Sequence, residues 1–169
     1  MKEVLCAIAL GSNLGDSLAI LEAAMVSLNQ VPSVSLQSRA SIYLTAPVGP
    51  PQPDYLNCCA LLKTHLSPEE MLRTLLKIEA DFGRVRQGRW GPRLLDLDLL
   101  LFDNLILETP TLQLPHPRMH ERAFVLAPLA EIAPNWIEPI SGKPISDLLQ
   151  AVDCSGVKRI SHGRLSDNL

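Results

Sequence analysis

The chain has 169 residues, the size of one domain with a sizeable buried core. Hydrophobic residues make up 47% of it and charged residues 20%, a composition that is typical of a soluble globular protein and excludes global disorder. The formal net charge of −3 and the aromatic content of 4% argue against binding to nucleic acid or to a membrane surface, because neither surplus positive charge nor a stacking platform is available.

The sequence carries no sign of a membrane span or a secreted form. No apolar run approaches the roughly 20 residues of a membrane helix. The N-terminal segment lacks the pattern of a secretory signal, because Glu3 interrupts its charged region. The four cysteines lack the spacing of a zinc site, and we interpret them as reduced thiols of a cytoplasmic protein.

The first part of the chain predicts the order strand, helix, strand, strand. The apolar run over 4–10 predicts a buried strand followed by a turn. Asp16 is a suitable N-cap for a helix that ends near Gln30. Two further strands are predicted over 35–44 and 55–66, separated by a loop whose four prolines exclude regular structure.

The rest of the chain predicts a second helix, a fourth long strand and several short elements. The Ser-Pro-Glu-Glu sequence at 67–70 is a helix start signal, and we expect that helix to end near Phe82. The apolar run over 94–102 predicts a strand. The remaining expected elements are a hairpin within 103–115, helical turns over 122–132 that Pro128 breaks, a helix near 145–152 and a frayed tail from about 153.

This βαββαβ order predicts an α+β fold, a ferredoxin-like sandwich with helices on one side of an antiparallel sheet. No internal repeat, low-complexity tract or linker divides the chain, so we expect a single domain over 1–169.

Asp96 and Asp98 are the strongest functional signal. Because side chains two positions apart in a strand share a face, we expect the two carboxylates about 7 Å apart on one face of the sheet. Two like charges on an apolar strand require a positive partner. Mg²⁺ ions would supply it, and so would structural arginines, and the strand alone leaves both possibilities open.

The neighbouring arginines favour the metal. Four of them lie within ten residues directly before this strand: Arg84, Arg86, Arg89 and Arg93. Guanidinium groups bind phosphate oxygens in bidentate fashion, and Arg118 and Arg122 recur beside His116. Carboxylates that hold a cation beside a cluster of arginines are typical of phosphoryl transfer.

A second candidate pocket follows the proline-rich loop. Tyr55 and Asn57 share a face of their predicted strand, and an aromatic ring beside an amide can bind a flat heterocycle. The same pair also fits ordinary packing and edge hydrogen bonds.

Six motifs, at 9–15, 53–57, 83–86, 89–98, 114–117 and 131–134, occur in this order. The most specific is Arg-Trp-Gly-Pro-Arg-Leu-Leu-Asp-Leu-Asp at 89–98. With these motifs the chain resembles the 6-hydroxymethyl-7,8-dihydropterin pyrophosphokinases of folate biosynthesis over roughly 8–146. The resemblance implies transfer of a diphosphate group from ATP to the hydroxymethyl group of 6-hydroxymethyl-7,8-dihydropterin, with release of AMP, by a cytoplasmic and monomeric enzyme.

The resemblance also implies a role for individual residues. Asp96 and Asp98 would bind two Mg²⁺ ions that bridge the ATP phosphates, with Arg84 and Arg93 as further catalytic groups on the transferring phosphates. The nucleotide would be bound by Arg86, Trp90, Arg93, His116 and Arg122. The pterin would be bound by Thr45, Val48, Tyr55, Asn57, Trp90 and Phe124, with Tyr55 and Phe124 sandwiching its ring.

Three departures from the family pattern stand out: Ala46 replaces a frequent proline, Pro117 replaces a tyrosine of some members, and the loop over 84–93 is a residue shorter than in some relatives. Two alternative functions are a metal-dependent phosphohydrolase and a nonenzymatic ferredoxin-like RNA-binding module. The second would need a basic surface and exposed aromatics, whereas this chain has seven aromatics and a net charge of −3.

Overall fold

The computed structural model describes residues 2–47, 51–83 and 94–160. Its longer strands are β1 (Val4–Ser12), β2 (Val34–Arg39), β3 (Tyr43–Thr45), β4 (Tyr55–Thr64) and β5 (Asp96–Phe102). Its shorter strands are β6 (Leu107–Glu108), β7 (Gln113–Leu114), β8 (Ile137–Glu138), β9 (Lys143–Pro144) and β10 (Val157–Arg159). Its helices are α1 (Ser17–Asn29), α2 (Pro68–Asp81), α3 (Ala123–Ile132) and α4 (Ile145–Gln150), with a 3-10 turn over Met119–Glu121.

The main sheet has the order β10-β3-β4-β1-β5, and β2 also pairs with β4. Every pairing in it is antiparallel. The two central strands are β1 and β4, and helices α1 and α2 each follow one of them in the chain. This is the arrangement of a ferredoxin-like sandwich, so the predicted fold class is confirmed. The short pairs β6-β7 and β8-β9 form separate hairpins.

Helices cover both faces of this sheet. The side chains of α1 and α2 pack on the face that contains Ile8 and Leu10. The other face, which contains Ala7 and Ala9, is covered by α3 and α4. The expectation of helices on one side therefore holds for α1 and α2 only. The continuous burial of β1 from Cys6 to Ser12 has this cause, since a strand covered on both faces is apolar throughout.

Two predicted helix starts are confirmed at the level of single hydrogen bonds. The Asp16 side chain accepts from the backbone N–H of Ala19 at 3.2 Å. Ser67 and Glu70 form a reciprocal capping box with distances of 3.2 and 2.8 Å. These contacts satisfy backbone donors that the first turn of a helix leaves without partners.

Several predicted boundaries were wrong. The expected turn after position 10 is still strand, because Gly11 and Ser12 continue the pairing with β4. The strand expected over 35–44 is split into β2 and β3, since the Ser41 N–H donates to the carboxylate of Glu131. Helix α3 continues through Pro128, which lies buried within it.

The end of the described chain is also more ordered than expected. Residues 157–159, within the tail expected to fray, form β10 and pair with β3.

Among the described helices, none combines the length and the apolar character that crossing a membrane requires. Burial raises the pKa of the Cys6 and Cys58 thiols to about 12, so both thiols stay protonated at neutral pH.

Candidate active site

One row of paired residues crosses four strands of the sheet. Tyr43 pairs with Asn57, Asn57 with Gly11, and Gly11 with Asp96. Directly paired residues point to the same face, so Asn57 and Asp96 flank Gly11 on the face that α3 covers. Two strand spacings of about 4.8 Å place their backbones roughly 10 Å apart. The two pockets inferred from sequence therefore lie next to each other on one face.

The two carboxylates of β5 lie on this face. Asp98 pairs with Ala9 one step further along the strand, and both aspartates are half-buried. Leu95 and Leu97, which alternate with them, are buried in the opposite core. This arrangement places two negative side chains side by side at the start of an otherwise buried strand.

The donor set fits a hard cation that brings its own ligands. In the part of the chain that the structure describes, no group of three or more His, Cys, Asp and Glu side chains could hold a metal ion. Two carboxylates alone leave most positions of a six-coordinate ion to other oxygens. Mg²⁺ is commonly bound in this way, by one or two carboxylates together with substrate phosphates and water.

His116 lies beside Asp98. Its backbone N–H donates to the carbonyl of Leu100 at 2.9 Å, which ties the segment after β7 to β5. Burial lowers the pKa of His116 below its ordinary value of 6.5, and the charges of Arg122 and Arg118 act in the same sense, whereas Asp98 acts in the opposite one. The side chain is therefore neutral at pH 7.

The tautomer of His116 follows from its contacts. Its Nδ1 atom accepts from the backbone N–H of Arg118 at 3.2 Å. A neutral imidazole with an accepting Nδ1 carries its proton on Nε2. The Nε2–H group is thereby oriented as a hydrogen-bond donor, which suits an oxygen of a phosphate or a ribose.

Arg122 connects the carboxylates to the N-terminus of α3. Burial lowers its pKa, while Asp98 and, more weakly, Asp96 act in the opposite direction. Its guanidinium carbon also lies 5.5 Å from the centroid of the Phe124 ring. A half-buried cation is thus held between the acidic pair and an aromatic ring.

Two buried polar atoms lie at the other end of the row. Within the described structure, the Thr45 hydroxyl and the Asn57 side-chain carbonyl are buried and have no hydrogen-bond partner. Thr45 pairs with Tyr55 and Asn57 with Tyr43 on adjacent strands. A buried polar group without a partner costs about 1–3 kcal/mol, so these two atoms are suited to a ligand that supplies the missing bonds.

Gly11 is needed between the two halves of the site. A Cβ atom built on it would lie 2.9 Å from Nδ2 of Asn57 and 3.7 Å from Cδ1 of Tyr55. Contacts below 3.0 Å force a neighbour to move. A glycine here lets Asn57 and Tyr55 approach the backbone of β1.

Sequence reasoning missed two residues that support the site. Glu79, on the apolar face of α2, accepts from the backbone N–H of Leu97 at 2.6 Å. Asn13 donates through Nδ2 to Gln52 at 2.7 Å and to the Pro53 carbonyl at 3.0 Å. An acid among the buried positions of a helix was the available signal for Glu79, whereas nothing local marked the long-range contact of Asn13.

The predicted site residues therefore divide into two groups. The structure places one group around the same end of one sheet face: Thr45, Tyr55, Asn57, Asp96, Asp98, His116, Arg122 and Phe124. The other predicted residues lie outside the described residues: Val48, Arg84, Arg86, Trp90 and Arg93.

Comparisons with known proteins identify the family. The family model for 7,8-dihydro-6-hydroxymethylpterin-pyrophosphokinase (HPPK) matches residues 7–134. The 2-amino-4-hydroxy-6-hydroxymethyldihydropteridine pyrophosphokinase of Synechocystis sp. is 47% identical over 92% of this chain and 80% of its own length. The enzymes of the same name from Pseudomonas aeruginosa and Bacillus subtilis are 42% and 51% identical, over 90% and 74% of this chain and 94% and 75% of their own lengths.

Solved structures show the same fold at low identity. A Plasmodium falciparum HPPK-DHPS with pteroate superposes with a TM-score of 0.72 and 13% identity, covering 99% of this chain and 44% of that chain. An HPPK-DHPS in complex with substrates gives 0.71 and 12%, covering 100% and 45%. This chain thus spans less than half the length of those two proteins. With the family model and the curated relatives, the motifs and the site geometry show that the chain belongs to the 7,8-dihydro-6-hydroxymethylpterin-pyrophosphokinase family.

Proposed function

We propose that the site on the α3-covered face transfers a diphosphate group from ATP to the hydroxymethyl group of 6-hydroxymethyl-7,8-dihydropterin and releases AMP. Family membership supports the reaction, which belongs to folate biosynthesis and makes the chain an ATP-dependent diphosphotransferase. The single observation that carries the assignment is the row in which Asn57 and Asp96 flank Gly11. This row brings the residues proposed for the pterin and the residues proposed for the phosphates onto one face.

Asp96 and Asp98 hold two Mg²⁺ ions in this proposal. The support is the donor set, since two half-buried carboxylates on one face leave the other coordination positions of an ion to phosphate oxygens and water. A bound Mg²⁺ ion supplies charge neutralisation to the phosphate oxygens. Arg122 and the Nε2–H of His116 add fixed positive charge and a donor beside them, without reorganisation during the reaction.

The pterin lies at the other end of the row. Thr45 and Asn57 supply the two buried polar atoms that lack partners within the described structure, and these would bind the polar edge of the ring. Tyr55 and Phe124 would stack on its two faces, as the family resemblance implies. Holding both substrates in the reactive orientation raises the rate, because the reacting groups no longer have to meet by random encounter.

The residues outside the described ranges complete the proposal by resemblance alone. Arg84 and Arg93 would contact the transferring phosphates, Arg86 and Trp90 the nucleotide, and Val48 and Trp90 the pterin. We also propose that the protein works as a monomer and in the cytoplasm as a single domain. The four free thiols suit a reducing compartment.

The alternative functions are not favoured. RNA-binding ferredoxin-like modules stack bases on an open sheet face, and here helices cover both faces. The phosphohydrolase is disfavoured by the family model and the curated relatives, which are pyrophosphokinases.

An assay for AMP separates the enzyme from its rivals. We expect AMP only when ATP, Mg²⁺ and 6-hydroxymethyl-7,8-dihydropterin are all present. Inorganic phosphate released from ATP without pterin would indicate a hydrolase instead. No AMP under any of these conditions would contradict the proposal.

A further inference from the structure

Glu131, near the end of α3, accepts hydrogen bonds from several donors and also forms an ion pair. It accepts from the backbone N–H of Ser41 at 3.1 Å and from the Ser41 hydroxyl at 2.9 Å. It also accepts from the phenol of Tyr43 at 2.8 Å, and the guanidinium of Arg159 lies 3.7 Å away. A carboxylate with this many donors is held in one orientation.

These contacts converge on β3, the strand of the proposed pterin pocket. Ser41 lies two residues before Tyr43, which begins β3. Tyr43 pairs with Asn57, and Thr45 pairs with Tyr55, so the backbone position of β3 determines where Thr45 lies relative to its neighbours on β4. A shift of β3 would move the Thr45 hydroxyl away from the carbonyl of Asn57.

Strand β10 holds the other edge of β3. Val157 pairs with Thr45, Arg159 pairs with Tyr43, and the Ala46 N–H donates to the Gly156 carbonyl at 3.2 Å. Through Arg159, the same strand also reaches Glu131. Thus β3 is fixed by a strand on each side and by a side chain from the helix above.

Helix α3 carries Phe124 two turns before Glu131, about 10 Å along the helix axis. The two opposing parts of the proposed pocket, Phe124 on α3 and Thr45 on β3, are therefore joined through one carboxylate. Burial and then the hydrogen bond to Glu131 raise the pKa of Tyr43, so its phenol stays protonated and remains a donor at neutral pH.

We propose that Glu131 is a positioning residue for the pterin, which fixes β3 and α3 at the separation that the pterin ring requires, and that β10 supports it. This inference rests on the proposed function and adds residues that touch neither substrate. In the described structure the contacts of Glu131 are with Ser41, Tyr43 and Arg159, and none is with Asp96, Asp98, His116 or Arg122, so their loss acts first on β3 and the pterin.

The test uses the full-length chain and compares KM for the two substrates. We expect Glu131→Ala and Tyr43→Phe each to raise KM for 6-hydroxymethyl-7,8-dihydropterin about fivefold or more, a loss of the size that one hydrogen bond provides. KM for ATP should stay within about twofold. Glu131→Gln, which keeps an accepting oxygen, should recover part of the loss.

Glu138→Ala is the matched control. Like Glu131, Glu138 accepts backbone N–H groups, from Ile140 at 2.7 Å and Ser141 at 2.9 Å, but it is buried and serves the β8-β9 turn. We expect it to lower the melting temperature without changing KM for the pterin.

The outcomes separate the two proposals. A wild-type protein that makes no AMP would refute the proposed function itself. An active wild type whose Tyr43→Phe variant keeps the pterin KM, or loses affinity for ATP and pterin equally, would refute the positioning role. Tyr43→Phe removes one oxygen atom only, so it decides the question if Glu131→Ala does not fold.

Discussion

The carboxylate of Glu79 accepts a hydrogen bond of 2.6 Å from the backbone N–H of Leu97, the residue between Asp96 and Asp98. Both groups are buried. Helix α2 thereby fixes the start of β5 from the face opposite to the two aspartates. The acidic pair is held by a group that lies on the other side of its strand.

Replacing Glu79 should affect both stability and metal dependence. Glu79→Ala leaves the Leu97 N–H buried without its acceptor, which costs about 1–3 kcal/mol in the free energy of unfolding. It should also raise the Mg²⁺ concentration that gives half-maximal activity. Glu79→Gln should show a smaller change in both the free energy of unfolding and this Mg²⁺ concentration. Denaturant unfolding and Mg²⁺ titrations measure the two effects. A Glu70→Ala control should lose helix-cap stability with an unchanged Mg²⁺ response, and an unchanged response in Glu79→Ala would argue against the positioning.

Asp98→Asn keeps the size of the side chain and removes its charge. Loss of a residue that only hydrogen-bonds to a metal ligand costs about 10–100-fold in activity. Asp98 is proposed as a ligand itself, so we expect turnover to fall by more than that. Binding of the pterin, followed by its fluorescence, should change little, because Asp98 lies on β5 and Asn57 on β4. Asp103→Asn, at an exposed turn after the same strand, is the control. Near-normal release of AMP by Asp98→Asn would remove the support for the metal site.

Thr45→Val should separate stability from binding. The Thr45 hydroxyl is buried and has no partner in the described structure, so replacing it with a methyl group should leave the melting temperature of the free protein equal or higher. The same change should raise KM for the pterin several-fold, since one hydrogen bond to the ligand is lost. A variant with lower stability and unchanged KM would show that the hydroxyl serves the fold.

Gly11→Ala should damage the pterin side of the site. The added methyl group would lie 2.9 Å from Nδ2 of Asn57, and Asn57 is buried, with little room to move. We expect KM for the pterin to rise at least about tenfold, because overpacking of about 1–3 kcal/mol is released by displacing Asn57. Gly156→Ala is the control, since a Cβ atom there meets nothing within 4 Å. Equal kinetics for the two variants would contradict the crowding argument.

The lowered pKa of His116 predicts a pH dependence of stability. Because the pKa in the folded state lies below the ordinary 6.5, the unfolded chain binds more protons in the interval between the two values. Stability should therefore fall as the pH drops below 6.5, and His116→Asn should show a smaller fall. Denaturant unfolding at pH 5, 6 and 7 measures this difference. Parallel pH curves for wild type and variant would argue against a partly buried, neutral imidazole.

Local sequence patterns were sufficient to predict the long helices and strands of the fold. The Ser67 to Glu70 capping box and the apolar runs that became β1 and β5 depend on nearby residues, so propensity and periodicity identify them. Pro128 was misleading because a proline inside a helix removes one backbone donor, and the burial of Val125, Leu126 and Leu129 against the sheet outweighs that loss.

The parts of the site that were not predicted from the sequence depend on contacts between residues far apart in the chain. The period of two placed Asp96 and Asp98 on one face, but the contact of Glu131 with Ser41 joins positions ninety residues apart. The same holds for β10, whose three residues acquire a strand conformation only by pairing with β3. Such contacts follow from the tertiary fold, which overrides weak local propensity.

The central place of β1 has a consequence for biosynthesis. Among the strands of the main sheet β1 is translated before the others, whereas its neighbour β5 is translated long after it, and Gly11 meets Asp96 only when both are available. Until then, an apolar ribbon exposes one unpaired edge to other nascent chains. A product of interrupted translation that ends before β5 would lack Asp96 and Asp98, the acidic half of the proposed site.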